Sequence, residues 1–444
     1  MSSPSAAHSL DVGHTLDHGP FSTLQKIVVT MAALSIILDG FDGQLIGFAI
    51  PVIMKEWGLQ RSAFAPAVAS GLLGMAVGSM FAGYVADRLG RRMVVIGSVL
   101  LFGGTTIGIG FSHDITTITL LRFIAGLGIG GVLPSASTLS AEFAPLRYRT
   151  LAVTATIVSY PLGGMLAGLF AAWILPTLGW RAMFWIGGTL PILYALLLLV
   201  KLPESPRYMS RNEAHWPRLR ALLNRMERPV DPHTRFSDSV EQASEQRAAG
   251  LSSLFRDGQA RDTLAVWIGF FMVMFASYTA FSWLPSMLTA EGLPVSIAST
   301  GLTFYNLGGV IGALGFAWAI SRFGSRWPLM LAAAGAAASA LTLKGVNFQE
   351  NAAVLMLGLG VHGFFVNSVQ APMYALCAYI YTTRIRATGT AAALSFGRLG
   401  AILSSFTGAA IITSSGANGY LNLLGVAMIC AFVALASVKR HIIR

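Results

Sequence analysis

Residues 83–92 have the sequence Gly-Tyr-Val-Ala-Asp-Arg-Leu-Gly-Arg-Arg, and residues 317–326 have the sequence Ala-Trp-Ala-Ile-Ser-Arg-Phe-Gly-Ser-Arg. The second stretch repeats the central Arg-x-Gly of the first, and Gly324 stands 234 positions after Gly90. The acid of the first stretch is replaced by a serine in the second. One half of the chain therefore resembles the other.

A second pair of stretches supports this duplication. Residues 145–150 are Pro-Leu-Arg-Tyr-Arg-Thr and residues 383–388 are Thr-Arg-Ile-Arg-Ala-Thr, with Arg384 standing 237 positions after Arg147. Two independent matches at nearly one offset indicate a chain built from two similar halves.

The composition predicts a membrane protein. Charged residues make up 11% and hydrophobic residues 54% of the 444 positions, whereas soluble proteins carry about 25% charged residues. Hydrophobic runs recur that are long enough to cross a hydrocarbon core of about 30 Å at about 1.5 Å per residue. We predict an all-α membrane protein with twelve transmembrane helices, six in each half. The predicted spans are 27–54, 63–86, 93–111, 115–143, 151–175, 181–202, 263–288, 295–320, 327–344, 352–381, 388–413 and 419–438.

A long polar stretch separates the two sets of spans. The expected organisation is a cytoplasmic tail (1–26), a six-helix bundle (27–202), a cytoplasmic linker (203–262), a second six-helix bundle (263–438) and a second cytoplasmic tail (439–444). The first residues contain no basic start ahead of an apolar run, so we expect no cleaved signal peptide.

Basic residues are distributed unevenly about these spans. On this topology, 24 of the 30 Lys and Arg residues lie on the side of the tails and the linker. This is the positive-inside pattern, and it predicts that both termini are cytoplasmic. The net charge of +11 therefore reflects topology, and we expect the lipid bilayer but no nucleic acid as a partner. The exceptions are Lys55, Arg61, Arg181 and Lys344 on the opposite side, and Arg122 and Arg398 within spans.

The sequence offers little for catalysis or metal binding. Cys377 and Cys430 both lie within predicted spans, which suits neither a disulfide framework nor a metal pair. His14 and His18 in the tail are the one weak zinc candidate. No nucleotide-binding loop and no nucleophile with a base is evident in the sequence. We expect no enzyme activity, no metal and no cofactor, and a function that is driven by a proton gradient.

Four charged residues lie well inside the predicted spans: Asp39, Asp42, Arg122 and Arg398. Each costs about 2.5–3.5 kcal/mol at a helix centre if unpaired. Asp39 and Asp42 are separated by about 60° on one helix face and lie near the depth of Arg122. We predict that one acid holds an ion pair with Arg122 while the other binds and releases a proton. The alternative is a static buried ion pair that fixes helix packing.

Arg398 lies near the predicted midplane, where the second half offers no acid to pair with it. A guanidinium there can bind a carboxylate through two parallel hydrogen bonds. The alternative is an arginine bonded to backbone carbonyls, or to Asp39 or Asp42 across a cavity. The spans also contain aromatic and polar side chains suited to a flat ring, each of which could instead serve packing. Those selected as substrate-binding candidates are Tyr160, Phe281, Trp283, Asn306, His362 and Gln370, from a wider set that includes Phe271, Phe275, Tyr278, Tyr305, Asn367 and Tyr374.

The stretch 83–92 resembles the loop signature of the major facilitator superfamily. Arg122-x-x-x-Gly126-x-Gly128-x-Gly130 in span four and residues 203–207 (Pro-Glu-Ser-Pro-Arg) after span six are similar to further marks of that superfamily. The resemblance implies two parallel six-helix halves with a central site between them. Asp39-Gly40-Phe41-Asp42 and residues 397–400 (Gly-Arg-Leu-Gly) resemble its aromatic acid:proton symporter family. This implies import of a benzoate-like anion with protons by alternating access, at a bacterial inner membrane.

The same resemblance implies a cytoplasmic gate whose ion pairs close the inside of the outward-facing state. The candidate gating residues are Gly83, Asp87, Arg88, Gly90, Arg91, Arg92, Glu142, Arg147 and Arg149. The alternative is that the basic residues of this set lie there only because of the positive-inside rule. That rule does not explain the acid Asp87.

Other functions stay open at this point. A symporter of another small organic anion or of a sugar is the main alternative, followed by an exporter and then by a receptor or membrane enzyme. An exporter is disfavoured because the Gly-Pro-x-x-Gly-Gly pattern of antiporters is broken here, where Tyr160 precedes Pro161 and one residue separates it from Gly163. We expect a monomer.

Overall fold

Long apolar helices dominate both halves of the chain. The computed structural model describes residues 9–231, 234–238, 254–255, 259–381 and 385–442. The first half contains β1 (Ser9–Asp11), α1 (Val12–His18), α2 (Thr23–Trp57), α3 (Arg61–Leu89), α4 (Arg91–Ile109), α5 (Ile115–Phe143), α6 (Leu146–Thr177) and α7 (Gly179–Lys201). The linker contributes α8 (Pro206–Ser210), a 3-10 turn (Glu213–His215), α9 (Trp216–Arg225) and β2 (Arg235–Ser237). The second half contains α10 (Ala260–Ala290), α11 (Val295–Phe323), α12 (Arg326–Thr342), a 3-10 turn (Leu343–Gly345), α13 (Ala352–Ile380) and α14 (Arg386–Ser437).

Eleven of these helices are long and apolar enough to cross a membrane. The last of them, α14, has 52 residues, but Gly416 inside it has a non-helical backbone (φ 57°, ψ −152°). At about 1.5 Å per residue α14 exceeds twice the thickness of a hydrocarbon core of about 30 Å. It is therefore two helices that meet at Gly416, between the two predicted spans 388–413 and 419–438. Glycine tolerates this positive φ because it has no Cβ.

The first long helix begins earlier than its predicted span because local capping extends it. Ser22 accepts a hydrogen bond from the backbone N–H of Gln25, and the Gln25 side chain accepts one from the N–H of Ser22. This reciprocal capping box starts α2 at Thr23 instead of residue 27. Its end is set by Gly58, which has a left-handed backbone (φ 64°).

Corresponding helix pairs in the two halves pack through corresponding glycines. In the first half, a Cβ on Gly74 would collide with the carbonyl oxygen of Phe123, and one on Gly78 with that of Leu127. In the second half, a Cβ on Gly308 would collide with the carbonyl oxygen of Gly360, and one on Gly312 with that of Phe364. The glycines are 234 positions apart and the carbonyls 237 positions apart, the offsets of the sequence repeat. The structure thus repeats its packing as well as its sequence.

The tail and the linker form a joint unit, which the sequence does not predict. Strand β1 pairs in parallel with β2. Asp17 of α1 forms ion pairs with Arg149 of α6 and, at 3.3 Å, with Arg207 of α8. Arg228 donates hydrogen bonds to the carbonyl oxygens of Thr15 and Pro20. We call residues 9–22 together with 203–231 and 234–238 the tail–linker unit, and the side of the helices where it lies the linker side.

The two halves are packed more closely on the side opposite the linker. Residues 273–288 of α10 are all buried. Side-chain hydrogen bonds join the halves in the middle and on this opposite side: Asn306 donates to Gln44 at 2.8 Å, Gln44 donates to Asn306 at 3.3 Å, and Arg61 donates to Ser286 at 3.2 Å. On the linker side of the Gln44–Asn306 bonds, by contrast, a cavity remains between the halves, and Asp39 of α2 and Ala313 of α11 help to line it. The space between the halves therefore extends toward the linker side.

Candidate functional site

A cavity lies between the two halves at the middle of the helices. Its empty space is about 660 Å³, counted up to and including its open mouth. Four helices of each half line it: α2, α3, α5 and α6 of the first half, and α10, α11, α13 and α14 of the second. The lining side chains are Asp39, Met75, Ile129, Leu133, Ile157, Val158, Tyr160, Pro161, Tyr278, Ala313, Asn367, Gln370, Ala371, Tyr374 and Arg398.

Two opposite charges from different halves line this cavity. Asp39 of α2 is 2% exposed, and its Oδ1 atom has no hydrogen-bond partner among the described residues. Arg398 of α14 interacts electrostatically with Asp39, but within the described part of the chain the two side chains form no direct ion pair. The guanidinium instead donates from Nη1 to the Tyr278 hydroxyl at 2.9 Å. Asp39 and Arg398 are therefore close enough to sense each other's charge, and neither neutralises the other by contact.

Three tyrosines surround Arg398. Tyr160, Tyr278 and Tyr374 all line the cavity and interact with the guanidinium. The Phe281 ring packs at 6.1 Å from the Tyr160 ring and at 5.6 Å, edge to face, from the Tyr278 ring. The wall beside the arginine is thus aromatic, with hydroxyl groups at its surface. Tyr278 and Tyr374 belonged only to the wider set of sequence candidates, because a ring in a helical bundle carries no sequence signal that separates packing from binding.

The second acid has different neighbours. Asp42 is completely buried, accepts a hydrogen bond from the Thr106 hydroxyl at 2.5 Å, and interacts electrostatically with Arg122. Arg122 is 4% exposed, and its Nη2 atom donates to the Gly43 carbonyl at 3.4 Å. A Cβ on Gly71 would lie 3.2 Å from the guanidinium, so this glycine leaves room for it. The sequence predicts both acids beside Arg122, whereas in the structure Asp42 interacts with Arg122 and Asp39 faces Arg398.

Glycines allow α2 to carry its acids close to the neighbouring helices. A Cβ on Gly40 would collide with the backbone carbonyl of Tyr160, and one on Gly47 would collide with that of Phe281. Small residues at such contacts let helix backbones approach closely inside a membrane. Gly40 and Gly47 therefore set how closely α2, which carries both acids, approaches α6 and α10, which carry Tyr160 and Tyr278.

The remaining substrate-binding candidates divide into two groups. Gln370 lines the cavity beside Tyr160 and Arg398. Asn306 bonds to Gln44 across the halves, and Trp283 is buried under Gly408. His362 is buried and bonds through Nδ1 to Ser339 at 3.0 Å and to the Ala336 carbonyl at 3.2 Å. In this conformation Phe281, which packs behind the tyrosine rings, and the described residues Trp283, Asn306 and His362 do not line the cavity.

On the linker side, Arg91 joins two acids of the first half. It lies 3.3 Å from Asp87 and 3.4 Å from Glu142, and Glu142 also accepts a hydrogen bond from Ser205. Asp87 is in addition 3.7 Å from Arg211 of the linker. These ion pairs connect the first half to the tail–linker unit.

The linker also covers the start of α4. The Glu204 carboxylate accepts a hydrogen bond from the Arg92 N–H at 3.1 Å and lies against Gly90, whose φ is 91°. Burial raises the pKa of Glu204, and the backbone N–H donors of Ser205 and Arg92 counteract this. Gly90 is therefore required both by its backbone conformation and by the carboxylate that lies against it.

The other gating candidates make individual contacts. Arg92 donates to the Leu199 carbonyl at 2.6 Å, and Arg149 donates to that of Ala141 at 3.0 Å. Arg88 lies 4.3 Å from the ring centroid of Tyr84 and Arg147 lies 5.4 Å from that of Tyr148. A Cβ on Gly83 would meet no described atom within 4 Å.

Known proteins of similar sequence share one function class. The gallate transporter of Pseudomonas putida is 31% identical over 436 residues, which cover 98% of this chain and 96% of that protein. The 4-hydroxybenzoate transporter PcaK of Pseudomonas putida is 33% identical over 416 residues, covering 92% of this chain and 91% of that protein.

A solved structure shares the fold. The crystal structure of a D-xylose-proton symporter superposes with a TM-score of 0.71 at 20% identity, covering 92% of this chain and 96% of the other. The sequence profile of the Major Facilitator Superfamily matches residues 32–343 and 266–441. The chain therefore belongs to the Major Facilitator Superfamily, and it is a transporter and not an enzyme.

Proposed function

We propose that the protein imports a small aromatic carboxylate together with protons, by exposing the central cavity alternately to the two sides of the membrane. The observation that carries this proposal is Arg398 in the wall of a cavity whose lining, apart from Asp39, consists of tyrosine rings, amides and apolar side chains. A guanidinium can hold a carboxylate through two hydrogen bonds, and aromatic walls suit a flat ring. The names of the two transporters from Pseudomonas putida agree with this substrate class.

Asp39 is the proton carrier in this proposal. Because it faces the charge of Arg398 from the other half, an ionised Asp39 competes with the substrate carboxylate for the same guanidinium. Protonation of Asp39 removes the competing charge, so that proton and substrate bind together. Once both have left, the ionised Asp39 again neutralises Arg398 and favours reorientation of the empty carrier. Asp42 keeps its interactions with Arg122 and Thr106 through the cycle.

The orientation proposed for the membrane follows from charge. With α14 counted as two helices we propose twelve spans, which place both ends of the described chain, residues 9 and 442, on the linker side. Most basic residues lie on that side, so the positive-inside rule makes it cytoplasmic. The cavity then opens to the cytoplasm, as in an inward-facing state of a bacterial inner-membrane protein. We propose a monomer as the working unit, since a single chain supplies both halves of the cavity.

We propose that the charge cluster on the linker side belongs to the gate. Arg91 is buried between Asp87 and Glu142, whereas the side chain of Asp87 is 60% exposed. Asp87 can therefore exchange Arg211 for a partner of the second half when the linker side closes. The ion pair between Arg91 and Glu142 stabilises the loop between α3 and α4 in both the inward-facing and the outward-facing state.

The test is uptake of radiolabelled compounds into cells that express the protein, with and without an uncoupler. The panel contains benzoate, hydroxybenzoates, terephthalate, a short aliphatic acid and a sugar. Accumulation of an aromatic acid that collapses with the uncoupler is the expected result. Accumulation of only the sugar or the aliphatic acid would contradict the substrate class, and accumulation that the uncoupler leaves unchanged would contradict proton coupling.

A further inference from the structure

We propose that a groove on the side opposite the linker is a second binding site for the same small aromatic carboxylate, which captures it before it enters the central cavity. This inference rests on the proposed function for the identity of the ligand. The groove lies between the α2–α3 corner of the first half and α14 of the second half, and it encloses about 1160 Å³ of empty space, counted up to its mouth. We call it the outer groove; its lining includes Met54, Leu59, Gln60, Arg61, Phe406 and Thr413.

Arg61 gives the outer groove a fixed positive charge. Its Nε atom donates to the Ser286 hydroxyl of α10 at 3.2 Å, and among the residues that the structure describes this is its one hydrogen bond. The two Nη atoms of the guanidinium thus keep their donors for a ligand. Since Ser286 is buried, the bond anchors the guanidinium at the wall of the groove.

The rest of the lining suits the ring of an aromatic acid and the substituents on that ring. Phe406 presents a ring that is 46% exposed, and Met54 and Leu59 add apolar surface. Gln60 and Thr413 supply polar groups that can bond to ring substituents. One arginine beside an aromatic and apolar wall is also the chemistry of the central cavity.

The charge of Arg61 is distinct from that of the other basic residues on this side. Arg181 is already paired with Glu56 at 2.6 Å, and Lys344 donates to Asn422 at 3.0 Å. Lys55 is exposed and does not line the groove. Arg61 is therefore the basic residue whose charge faces the space between the halves on this side, among the residues described.

Position gives the outer groove a role separate from that of the cavity. The bonds of Gln44 with Asn306 and of Arg61 with Ser286 close the seam between the halves on this side, while the central cavity opens toward the linker. The outer groove can therefore bind an anion while the cavity faces the other side. A positive charge in such a cleft raises the local concentration of anions, and salt screens the effect.

The first experiment compares uptake kinetics of the aromatic acid that the panel identifies. For Arg61→Gln we expect a KM about threefold or more above wild type at low ionic strength, an unchanged maximal rate, and a difference that shrinks at high salt. Arg61→Lys should keep most of the wild-type KM because it keeps the charge. Lys55→Gln is the matched control and should match wild type. An unchanged KM in Arg61→Gln would overturn the proposal.

A second comparison separates a binding site from a simple latch between the halves. Ser286→Ala removes the bond across the seam but keeps the guanidinium, so we expect a KM within about twofold of wild type. If Ser286→Ala reproduces the change caused by Arg61→Gln, then Arg61 acts as a latch and the proposal is wrong.

A binding measurement keeps the proposal testable even if transport fails. We would titrate 4-fluorobenzoate into purified Arg398→Gln protein and follow its fluorine resonance. Weak binding that persists in this variant and disappears in the Arg398→Gln, Arg61→Gln double variant is the expected result. Failure of wild-type protein to take up any aromatic acid would contradict the proposed function, whereas absence of binding to the Arg398→Gln variant would contradict the outer site itself.

Discussion

Asp39 and Asp42 show how much the surroundings of a side chain decide its role. They are three positions apart on α2, yet Asp39 lines the cavity opposite Arg398, while Asp42 is buried against Thr106 and Arg122. Their burial inside the first long helix could be predicted from the sequence. Which arginine each acid faces could not, because hydrophobicity sets the depth of a residue but not the neighbours of its helix.

Replacing Arg398 tests substrate recognition directly. We expect Arg398→Gln to lower the affinity for the aromatic acid about tenfold or more, since a hydrogen bond to a charged group contributes about 1.5–3 kcal/mol. Arg398→Lys should recover only part of this, because an ammonium lacks the planar fork of donors. The rate of uptake as a function of substrate concentration, at equal expression, measures the effect of both substitutions. Normal uptake by Arg398→Gln would remove Arg398 from the binding site.

Replacing Asp39 tests proton coupling. Asp39→Asn mimics the protonated acid, so Arg398 stays available to substrate and the proton step is lost. We expect accumulation against a gradient to disappear, while exchange of labelled for unlabelled substrate across the membrane continues. Vesicles preloaded with substrate measure the exchange. Accumulation at the wild-type level in Asp39→Asn would exclude Asp39 as the carrier, and Asp42→Asn provides the comparison.

At the scale of elements, α3 contains two glycines with opposite surroundings. Gly78 has the Leu127 carbonyl of α5 directly against its Cα, whereas the space around Gly83 is open in this conformation. Close packing of α3 on α5 is thus part of the first half itself. Any close approach at Gly83 must belong to another conformation, in which the linker side is closed.

A pair of substitutions on α3 separates stability from gating. We expect Gly78→Ala to lower the melting temperature of the purified protein, because overpacking costs about 1–3 kcal/mol. Gly83→Leu should leave the melting temperature unchanged but slow transport, since the added side chain obstructs closure. Gly104→Leu on α4, where a Cβ would also meet no described atom within 4 Å, is the control. Wild-type transport by Gly83→Leu would argue against a gate at this position.

Across the whole molecule, each loop of the repeat is covered by the chain that follows the last helix of its half. Glu204 lies against Gly90, and the Ile442 carbonyl lies against Gly324 and accepts a hydrogen bond from the Ser325 N–H at 3.0 Å. The second loop keeps this arrangement although Ser321 replaces the acid. The duplication therefore extends to the loops and to the segments that follow each half.

The sequence could predict the helices of this molecule better than its extramembrane part. Long apolar runs, glycine patterns and buried charges all carry signals that follow from the membrane. The tail–linker unit carries none, because strands of three residues such as Ser9–Asp11 are too short to show an alternating pattern. Its contacts depend on single ion pairs, such as Asp17 with Arg207, between segments far apart in the chain.

Alternating access predicts a change in distance between the halves on the linker side. Leu89 and Phe323 occupy equivalent positions 234 residues apart and are both well exposed. Spin labels on Leu89→Cys and Phe323→Cys should give two distance populations, the longer of which corresponds to this structure. Conditions that favour the outward-facing state should increase the shorter population. One unchanged distance under all conditions would contradict the rocking of the halves.

The two native cysteines make such labelling practical. Cys377 is completely buried in α13, and Cys430 is partly buried in α14. A maleimide reagent reaches a thiol only where solvent does, so Cys377 can remain in place without adding background. The single substitution Cys430→Ser should give a protein that maleimide labels hardly at all. A cysteine then introduced in the outer groove or at the linker-side mouth reports how accessible that position is while the transporter turns over.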